Sequence, residues 1–395
     1  MRFSIRSFVI SFSCFLMLII FMVKLLPPRI RYKVFHQSNY EETITTTKQK
    51  IILFWGTPTF LQNFSIIPNN LSTACGGCIV TSDRNYLNDS DVLLFHPEYF
   101  SKYKKIMPPT RLANHIYVFA SGENPYYTRY AIKERMNFMF NEYDTIFNMT
   151  VSYRRDADIV VNYGIWHKDM LKTIQPFTLK KKTNLAIMLA SECWRAGSQL
   201  RIKLSDALVE EGLNLTRYGK CFGSRYEGNL TELLHQYKFF MSFENAIHCK
   251  DYLTEKFWVN SLWNGVVPVV WGPLKEDIVR VAPPNSFIYV DDFESLKDLV
   301  QYLNYLDKND DEYLKYFAWR NLEPPERQPN IYCACGKMNL VDEKLCGLCR
   351  TVTDGSKGKS NLSLSEWWYG GENPDCLQNN LTHLELDFNK QYGIK

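Results

Sequence analysis

With 395 residues the chain exceeds a single ordinary hydrophobic core, so two domains are expected. An apolar share of 46%, with 15% aromatic residues, excludes a disordered chain. The formal net charge of +4 is mild and no run of Lys and Arg stands out, which argues against a nucleic-acid partner.

The N-terminus reads MRFSIRSFVISFSCFLMLIIFMVKLLPPRIRYK. Phe8 to Val23 is an uninterrupted run of apolar and small residues, extended past Lys24 by Leu25 and Leu26. That approaches the roughly 17–20 residues needed to span hydrocarbon. A cleaved signal peptide would have a shorter apolar core followed by small residues, whereas Pro27, Pro28 and Arg29 follow here. The expectation is a cytoplasmic tail over 1–7, a signal-anchor transmembrane helix over 8–26 and a stem over 27–49. Arg2 and Arg6 favour a cytoplasmic N-terminus, with Arg29, Arg31 and Lys33 weighing against them.

A lumenal body agrees with two further features. Eight Asn-X-Ser/Thr sequons occur, at Asn63, Asn70, Asn88, Asn148, Asn214, Asn229, Asn361 and Asn380. Ten cysteines follow Cys14: Cys75, Cys78, Cys193, Cys221, Cys249, Cys333, Cys335, Cys346, Cys349 and Cys376. In an oxidising lumen these read as disulfides whose pairing the sequence leaves open. The stretch CACGKMNLVDEKLCGLC (333–349) has a spacing that a cytosolic protein would use for zinc. The lumenal setting favours disulfides there too.

Short apolar runs then recur as KIILFWG (50–56), DVLLFH (91–96), HIYVFAS (115–121) and ADIVVNYG (157–164), each bounded by turn residues. They read as buried strands of a mostly parallel sheet. A Lys-rich linker follows, and a second alternation of strands and helices runs from NLAIMLAS through an amphipathic segment 198–210, LNLTRYG, a short helix near 229–236, KFFMSFEN, VVPVVWG and SFIYVDD to helical patterns at 294–306 and 310–319. Two α/β units in succession imply two Rossmann-like lobes with a cleft between them. The expected lobes are 50–176 and 177–325, with a cysteine- and loop-rich tail over 326–395.

FENAIHCKDYLTEKFW (243–258) sets Glu244, Asn245, Asp251, Thr254, Glu255 and Lys256 among aromatic residues. KFFMSFEN reads as a strand and TEKFWVNSLWNG as a helix, capped by Thr254 or Asp251 and stopped at Gly265. Glu244 and Asn245 would then lie at the carboxyl end of a strand, where open α/β sheets bind ligands. Lys256 and a helix N-terminus suit an anion, and Glu255 suits a pair of sugar hydroxyls, so a ribose diphosphate is the natural occupant. A solvated first turn over a plain core is the competing reading.

The stretch KFFMSFENAIHCKDYLTEKFWVNSLWNGVVPVVWGP (238–273) closely resembles the signature of the Golgi α1,3-fucosyltransferases, glycosyltransferase family ten. FNMTVSYRRDADIVVNYG (147–164), SFIYVDDFESLKDLVQYLNYLDKND and YLKYFAWR resemble further blocks of that family, so the likeness covers roughly residues 50–370. The residue spacing, the Trp pair near the end and the extra cysteines resemble invertebrate members. The resemblance implies a GT-B fold, GDP-fucose as donor and inversion at the fucose anomeric carbon. By motif match it sets Arg201 and Lys256 on the diphosphate, and Glu255 and Tyr252 on the ribose side. It gives Phe240, Asn245 and Ser191 to the donor pocket, reached by Tyr153 from the first lobe, with Glu244 as a further cleft candidate. The general base falls on Glu123, in SGENPYYT (121–128), because the acceptor hydroxyl must lose its proton as it attacks.

Two departures from the family pattern stand out: Glu192 in SECWRAGS, where asparagine is common, and Phe240 in place of a tyrosine. Asp156-Ala-Asp158 has the spacing of a metal-binding Asp-x-Asp, but Arg154, Arg155 and Asp156 read instead as cleft ion pairs. With Arg201 and Lys256 to neutralise the leaving group, no cofactor is required and a divalent metal is at most stimulatory. The expected partners are GDP-fucose, a glycan acceptor containing GlcNAc, and a membrane reached by one N-terminal helix, with no nucleic acid. The expected setting is the Golgi membrane, single-pass type II, with the catalytic part lumenal. Transfer would go to the 3-hydroxyl of GlcNAc, the alternatives being the core GlcNAc of N-glycans, protein O-fucosylation, or a catalytically silent glycan-binding protein. Acceptor choice would rest on loops around 56–90 and 121–147.

Overall fold

The computed structural model describes residues 48–56, 70–97, 107–128, 144–171, 174–326, 331–333, 340–358, 363–370, 376 and 388–394. The tail, anchor and stem expected over 1–49 lie outside the described residues except for 48 and 49, and so do 57–69 and 129–143 of the acceptor-side loops. Among the described residues no helix is long and apolar enough to cross a membrane.

Two sheets carry the fold, both within one unit that spans Gln49–Lys395. The first contains β1 (Ile51–Gly56), β2 (Ile79–Thr81), β3 (Val92–Phe95), β4 (Ile116–Ser121), β5 (Met149–Ser152), β6 (Ile159–Asn162) and β12 (Ile331–Cys333), in the order β12-β6-β5-β4-β3-β1-β2. The second contains β7 (Asn184–Leu189), β8 (Leu215–Tyr218), β9 (Tyr237–Phe243), β10 (Val267–Trp271) and β11 (Ile288–Tyr289), in the order β11-β10-β9-β7-β8. Every strand pairing within these sheets is parallel. Strands covered on both faces must be apolar along their whole length, and β1, β3, β9 and β10 are buried at every position.

The expected strands all form. β5 lies inside the block quoted above for its motif, and the short β2 and β12 carry no periodicity that would reveal them. The segment after residue 326 is less loop-like than its composition reads. β12 pairs with β6, and the helix Leu340–Thr353 covers one face of the first sheet through Leu345, Leu348 and Val352, against Ile52, Val92 and Val118. Two disulfides hold it there, Cys75–Cys346 and Cys78–Cys349, each closing a separation of 271 residues. Cys193–Cys221 and Cys249–Cys376 are also paired, so the cysteine-rich stretch supplies disulfides at Cys346 and Cys349 as expected.

The opposite face of the first sheet packs Leu53, Phe95 and Phe119 on Trp368 and Tyr369 from the helix Leu364–Tyr369. Ala246, Cys249 and Tyr252 belong to the same core, although they follow β9 of the second sheet. In the second sheet, Phe239, Met241 and Phe243 face the helices Ala196–Glu210 and Leu296–Lys308, while Phe240 and Ile187 face Leu234 and Val266.

The helix expected over TEKFWVNSLWNG does not form. Residues 255–261 are a run of turns, followed by a 3-10 turn at Leu262–Asn264. Asn260, Leu262, Trp263 and Val266 each donate to the carbonyl five residues earlier rather than four. The side chains explain the loosened ladder: Ser261 Oγ donates to the Lys256 carbonyl at 2.6 Å and Asn264 Nδ2 to the Val259 carbonyl at 2.7 Å. Short polar side chains that capture nearby carbonyls compete with the helical pattern.

Candidate active site

β9 ends at Phe243, and the Glu244 N–H donates to the Trp271 carbonyl at 3.1 Å, holding the next residue to the end of β10. Gly272 makes this approach possible: its φ is +114°, and a Cβ there would lie 2.9 Å from the Ala246 carbonyl oxygen. Glu244 is fully buried. Its Oε1 accepts from the Thr254 N–H at 2.9 Å and from Thr254 Oγ at 2.7 Å, and its Oε2 from Lys256 Nζ at 3.0 Å. Lys256 Nζ also donates to Thr254 Oγ at 2.8 Å and to Glu255 Oε1 at 3.0 Å, so all three of its protons are engaged. Burial disfavours the Lys256 ammonium, but the Glu244 and Glu255 carboxylates outweigh it and raise its pKa. Glu255 is half-exposed, with 48% of its side chain accessible, and is the partner of Lys256 most open to exchange with an incoming anion. Burial would push the Glu255 carboxyl up, and the Lys256 charge and hydrogen bond overcome this to leave it below the ordinary range.

Arg201 projects from the helix Ala196–Glu210 and is buried. It donates to the Phe243 carbonyl at 3.2 Å and the Glu192 carbonyl at 3.0 Å, while its Nε has no partner. Burial lowers its pKa, opposed first by Glu244. No side chain caps the N-terminus of that helix, and Gly197 lets its first turn meet the backbone of Asn245, where a Cβ would stand 2.4 Å from the carbonyl oxygen. The uncapped helix N-terminus expected at Lys256 thus belongs instead to the helix that carries Arg201, where its first turn is packed on Asn245.

Glu123 follows β4 of the first sheet. Tyr252 donates to its Oε2 at 3.3 Å, Tyr163 donates to the neighbouring Gly122 carbonyl at 2.7 Å, and Asn124 Nδ2 donates to Asn245 Oδ1 at 3.0 Å. Burial raises the Glu123 pKa. The Lys256 charge is the largest opposing influence, Glu255 adds to the rise, and the Tyr252 hydrogen bond and Arg195 lower it. Glu123, Tyr252, Glu255, Lys256 and Arg195 therefore share one electrostatic neighbourhood drawn from both sheets.

Tyr153 packs its ring on Tyr252 at 5.0 Å and on Trp368 at 5.9 Å, and its buried hydroxyl has no partner. Asn245 is part of the group through Asn124, and Ser191 is exposed at the end of β7. Phe240 is not brought to the group, because it lies wholly buried in the core beside Leu234 and Val266. Asn124, Tyr163 and Arg195 are contributors that sequence reasoning passed over; only the adjacency of Asn124 to Glu123 marks any of them along the chain.

Glu192 turns its carboxylate to the Arg195 guanidinium and to the Trp194 N–H, and Arg195 in turn lies 3.8 Å over the ring of Tyr127. Asp156 pairs with Arg154 at 2.8 Å and Lys250 at 2.9 Å, and Asp158 accepts from the Thr150 N–H and hydroxyl. Arg155 stands 3.4 Å from Asp251 and 3.5 Å from Asp277. These are the ion pairs expected of the segment, and they leave the Asp-x-Asp oxygens committed to protein donors. Among the described residues no group of His, Cys, Asp and Glu has the arrangement to hold a metal.

Glu123 of the first sheet thus lies within reach of the charges of Lys256 and Arg195 from the second, and the comparisons with known proteins give the class of the chain as a glycosyltransferase. The description "Fucosyltransferase, N-terminal" matches residues 47–164, and "Glycosyltransferase family 10 (fucosyltransferase) C-term" matches residues 179–367. A 3-galactosyl-N-acetylglucosaminide 4-alpha-L-fucosyltransferase, FUT3 of Pongo pygmaeus, is 33% identical over 292 residues, covering 73% of this chain and 75% of the relative. A 4-galactosyl-N-acetylglucosaminide 3-alpha-L-fucosyltransferase, FUT5 of Homo sapiens, is 34% identical over 283 residues, covering 70% and 71%. A crystal structure of an alpha1,3-fucosyltransferase with GDP aligns over 82% of this chain and 97% of that one, at 19% identity and a TM-score of 0.49. The chain belongs to glycosyltransferase family 10, the fucosyltransferases.

Proposed function

We propose that this fucosyltransferase moves L-fucose from GDP-fucose to the 3-hydroxyl of a GlcNAc residue in a glycan, with inversion, in the cleft of a GT-B arrangement. The observation that carries the reading is the meeting of Glu123 from the first sheet with Lys256, Glu255 and Tyr252 from the second. Glu123 takes the acceptor proton while the acceptor oxygen bonds to the anomeric carbon. The bond from that carbon to the diphosphate breaks, and GDP leaves with its electron pair. Arg201 and Lys256 balance the charge on GDP as it departs, with Lys256 releasing Glu255 to receive the diphosphate and Glu255 then free for ribose hydroxyls. Asn245 and Ser191 border the donor side, which Tyr153 approaches from the first lobe. Base catalysis and positioning together account for the rate, the base supplying about 10²–10⁴-fold. The names of the relatives, which specify galactosyl-N-acetylglucosaminide acceptors, support GlcNAc as the sugar that receives fucose.

The lobes are assigned to 50–176 and 177–325; after 326, β12 and the helices Leu340–Thr353 and Leu364–Tyr369 pack on the first sheet, while Phe388 and Tyr392 pack on the second. The anchor over 8–26 would hold the enzyme in the Golgi membrane as a single-pass type II protein, and the disulfides suit that lumen. The test incubates the full-length chain with labelled GDP-fucose and two acceptors, N-acetyllactosamine and an N-glycan with its core GlcNAc exposed, with and without EDTA. Transfer to the first is expected and is retained in EDTA. Transfer only to the second would move the reading to core fucosylation. Loss in EDTA would return a metal to the scheme, and GDP binding without transfer to either would point to a protein acceptor or a silent binder.

A further inference from the structure

Tyr252 comes from the segment after β9 of the second sheet, yet only 2% of its surface is exposed and its ring is built into the core of the first. The chain turns sharply to put it there. Asp251 holds φ at +59°, a left-handed conformation that Asp adopts more readily than most side-chain-bearing residues and that its neighbours here enforce. The enforcement is visible. The Asp251 N–H donates to Asp277 Oδ2 at 2.9 Å, its carboxylate accepts from the Arg155 N–H at 3.1 Å, and the nearby Cys249 is bonded to Cys376. The ring of Tyr153, 5.0 Å away, closes the side of the Tyr252 ring. A buried phenol needs a partner for its hydroxyl, and the partner here is Glu123 Oε2.

We propose that Tyr252 is the positioning residue for Glu123: reaching across from the second sheet, it ties down Oε2 by donating its hydroxyl proton and leaves Oε1 directed at the acceptor. This rests on the reading of Glu123 as the base. It differs from a ribose contact, the role that family resemblance implies for this tyrosine, because its hydroxyl is spent on the carboxylate. The proton balance is simple. The acceptor hydroxyl gives its proton to Glu123 as the new bond to the anomeric carbon forms and GDP departs. Tyr252 keeps its own proton throughout, since burial holds its phenol protonated. Because base and positioning residue belong to different sheets, a productive base is assembled only when the two meet.

The groups that set the charge state of Glu123 are Lys256 and Glu255 from the turn after Thr254, Arg195 ahead of the Arg201 helix, and the phenol of Tyr252, with the buried Tyr153 and the partly buried Tyr163 beside them. The Tyr252 bond lowers the Glu123 pKa, so removing it must raise that pKa further and move the acid limb of kcat/KM to higher pH. The experiment compares the full-length wild type with Tyr252→Phe, recording the pH profile of kcat/KM for the acceptor, the affinity for GDP and the thermal midpoint. The expected result is an upward-shifted acid limb and a fall in kcat of about 10-fold, as loss of a hydrogen bond to a charged group gives, with GDP affinity unchanged. Site-specific replacement of Tyr252 by 3,5-difluorotyrosine, a stronger donor of the same shape, should move the limb the opposite way and keeps the test alive if the phenylalanine variant folds poorly. An unmoved limb with weakened GDP binding would assign the tyrosine to the donor and overturn the proposal. An unmoved limb with only a lowered thermal midpoint would make it structural, which also overturns it. Full turnover in Glu123→Gln would instead remove the base reading on which the proposal stands, whatever the tyrosine variants do.

Discussion

Glu123, partly buried, and Glu244, wholly buried, are carboxylates at strand ends, one on each sheet, and their surroundings are opposite. Glu244 accepts three short hydrogen bonds from Thr254 and Lys256 and has nothing left to offer a ligand. Glu123 accepts one bond, at 3.3 Å, from a neutral phenol, and its strongest cationic neighbour, Lys256, is already shared between Glu244 and Glu255. A carboxylate with its lone pairs occupied and a cation beside it is a structural element. One that is desolvated and under-coordinated is poised to take a proton. Two carboxylates that are each partly or wholly removed from water thus differ in what they can do, and the hydrogen-bond count decides which.

The comparison can be broken at either carboxylate. Glu123→Gln keeps the shape and should lower transfer by about 10²–10⁴-fold while calorimetry still detects GDP binding. Persistence of turnover would move the base elsewhere. The raised Glu123 pKa adds a sign: the base works only when ionised, so the rate should begin to fall with decreasing pH above the range of an ordinary glutamate. Glu244→Ala should act first on stability, because it takes the buried carboxylate from Lys256 and leaves the Thr254 N–H without its acceptor, and a loss of about 3–5 kcal/mol is expected for breaking a buried pair. Denaturant titration measures it; an unchanged midpoint with lost activity would make Glu244 a reacting group after all.

Lys256→Ala sharpens the contrast from the other side. It removes a charge-assisted donor to the diphosphate, so GDP affinity should weaken by about 10- to 100-fold in an isotherm. An unaltered affinity would refute the phosphate role. At the small end, Glu192→Ala breaks the partly exposed pair with Arg195 and an exposed bond from the Trp194 N–H, and should change stability by about 0–1 kcal/mol. If it improved GDP binding, the carboxylate would be acting on the donor site despite its pairing.

Much of this was legible in the residue string, for identifiable reasons. Strands such as Ile51–Gly56 and Val92–Phe95 are apolar at every position because parallel sheets are covered on both faces, and that demand writes itself into composition. The Glu244–Lys256 group was legible because its members are close in the chain. The failed helix after Thr254 was not, since its sequence has helical spacing and only the capture of carbonyls by Ser261 and Asn264 defeats it. The core position of Phe240 was hidden for a similar reason: alternation along β9 gives it a face, but only the packed second sheet says that this face turns to Leu234 and Val266.

By itself the sequence determined the family, the two parallel α/β units, the reading of cysteines as disulfides and the residue types found at the carboxyl edge of β9. These are local patterns or long motif matches, and short-range chemistry carries them. Tertiary structure alone decided that Cys75 and Cys78 meet Cys346 and Cys349 across 271 residues, that β12 pairs with β6 of the first sheet while Phe388 packs on the second, and that Tyr252 meets Glu123. Those pairings join residues far apart in the chain, and what brings each pair together is the burial of surfaces that neither partner shows in its own stretch of sequence.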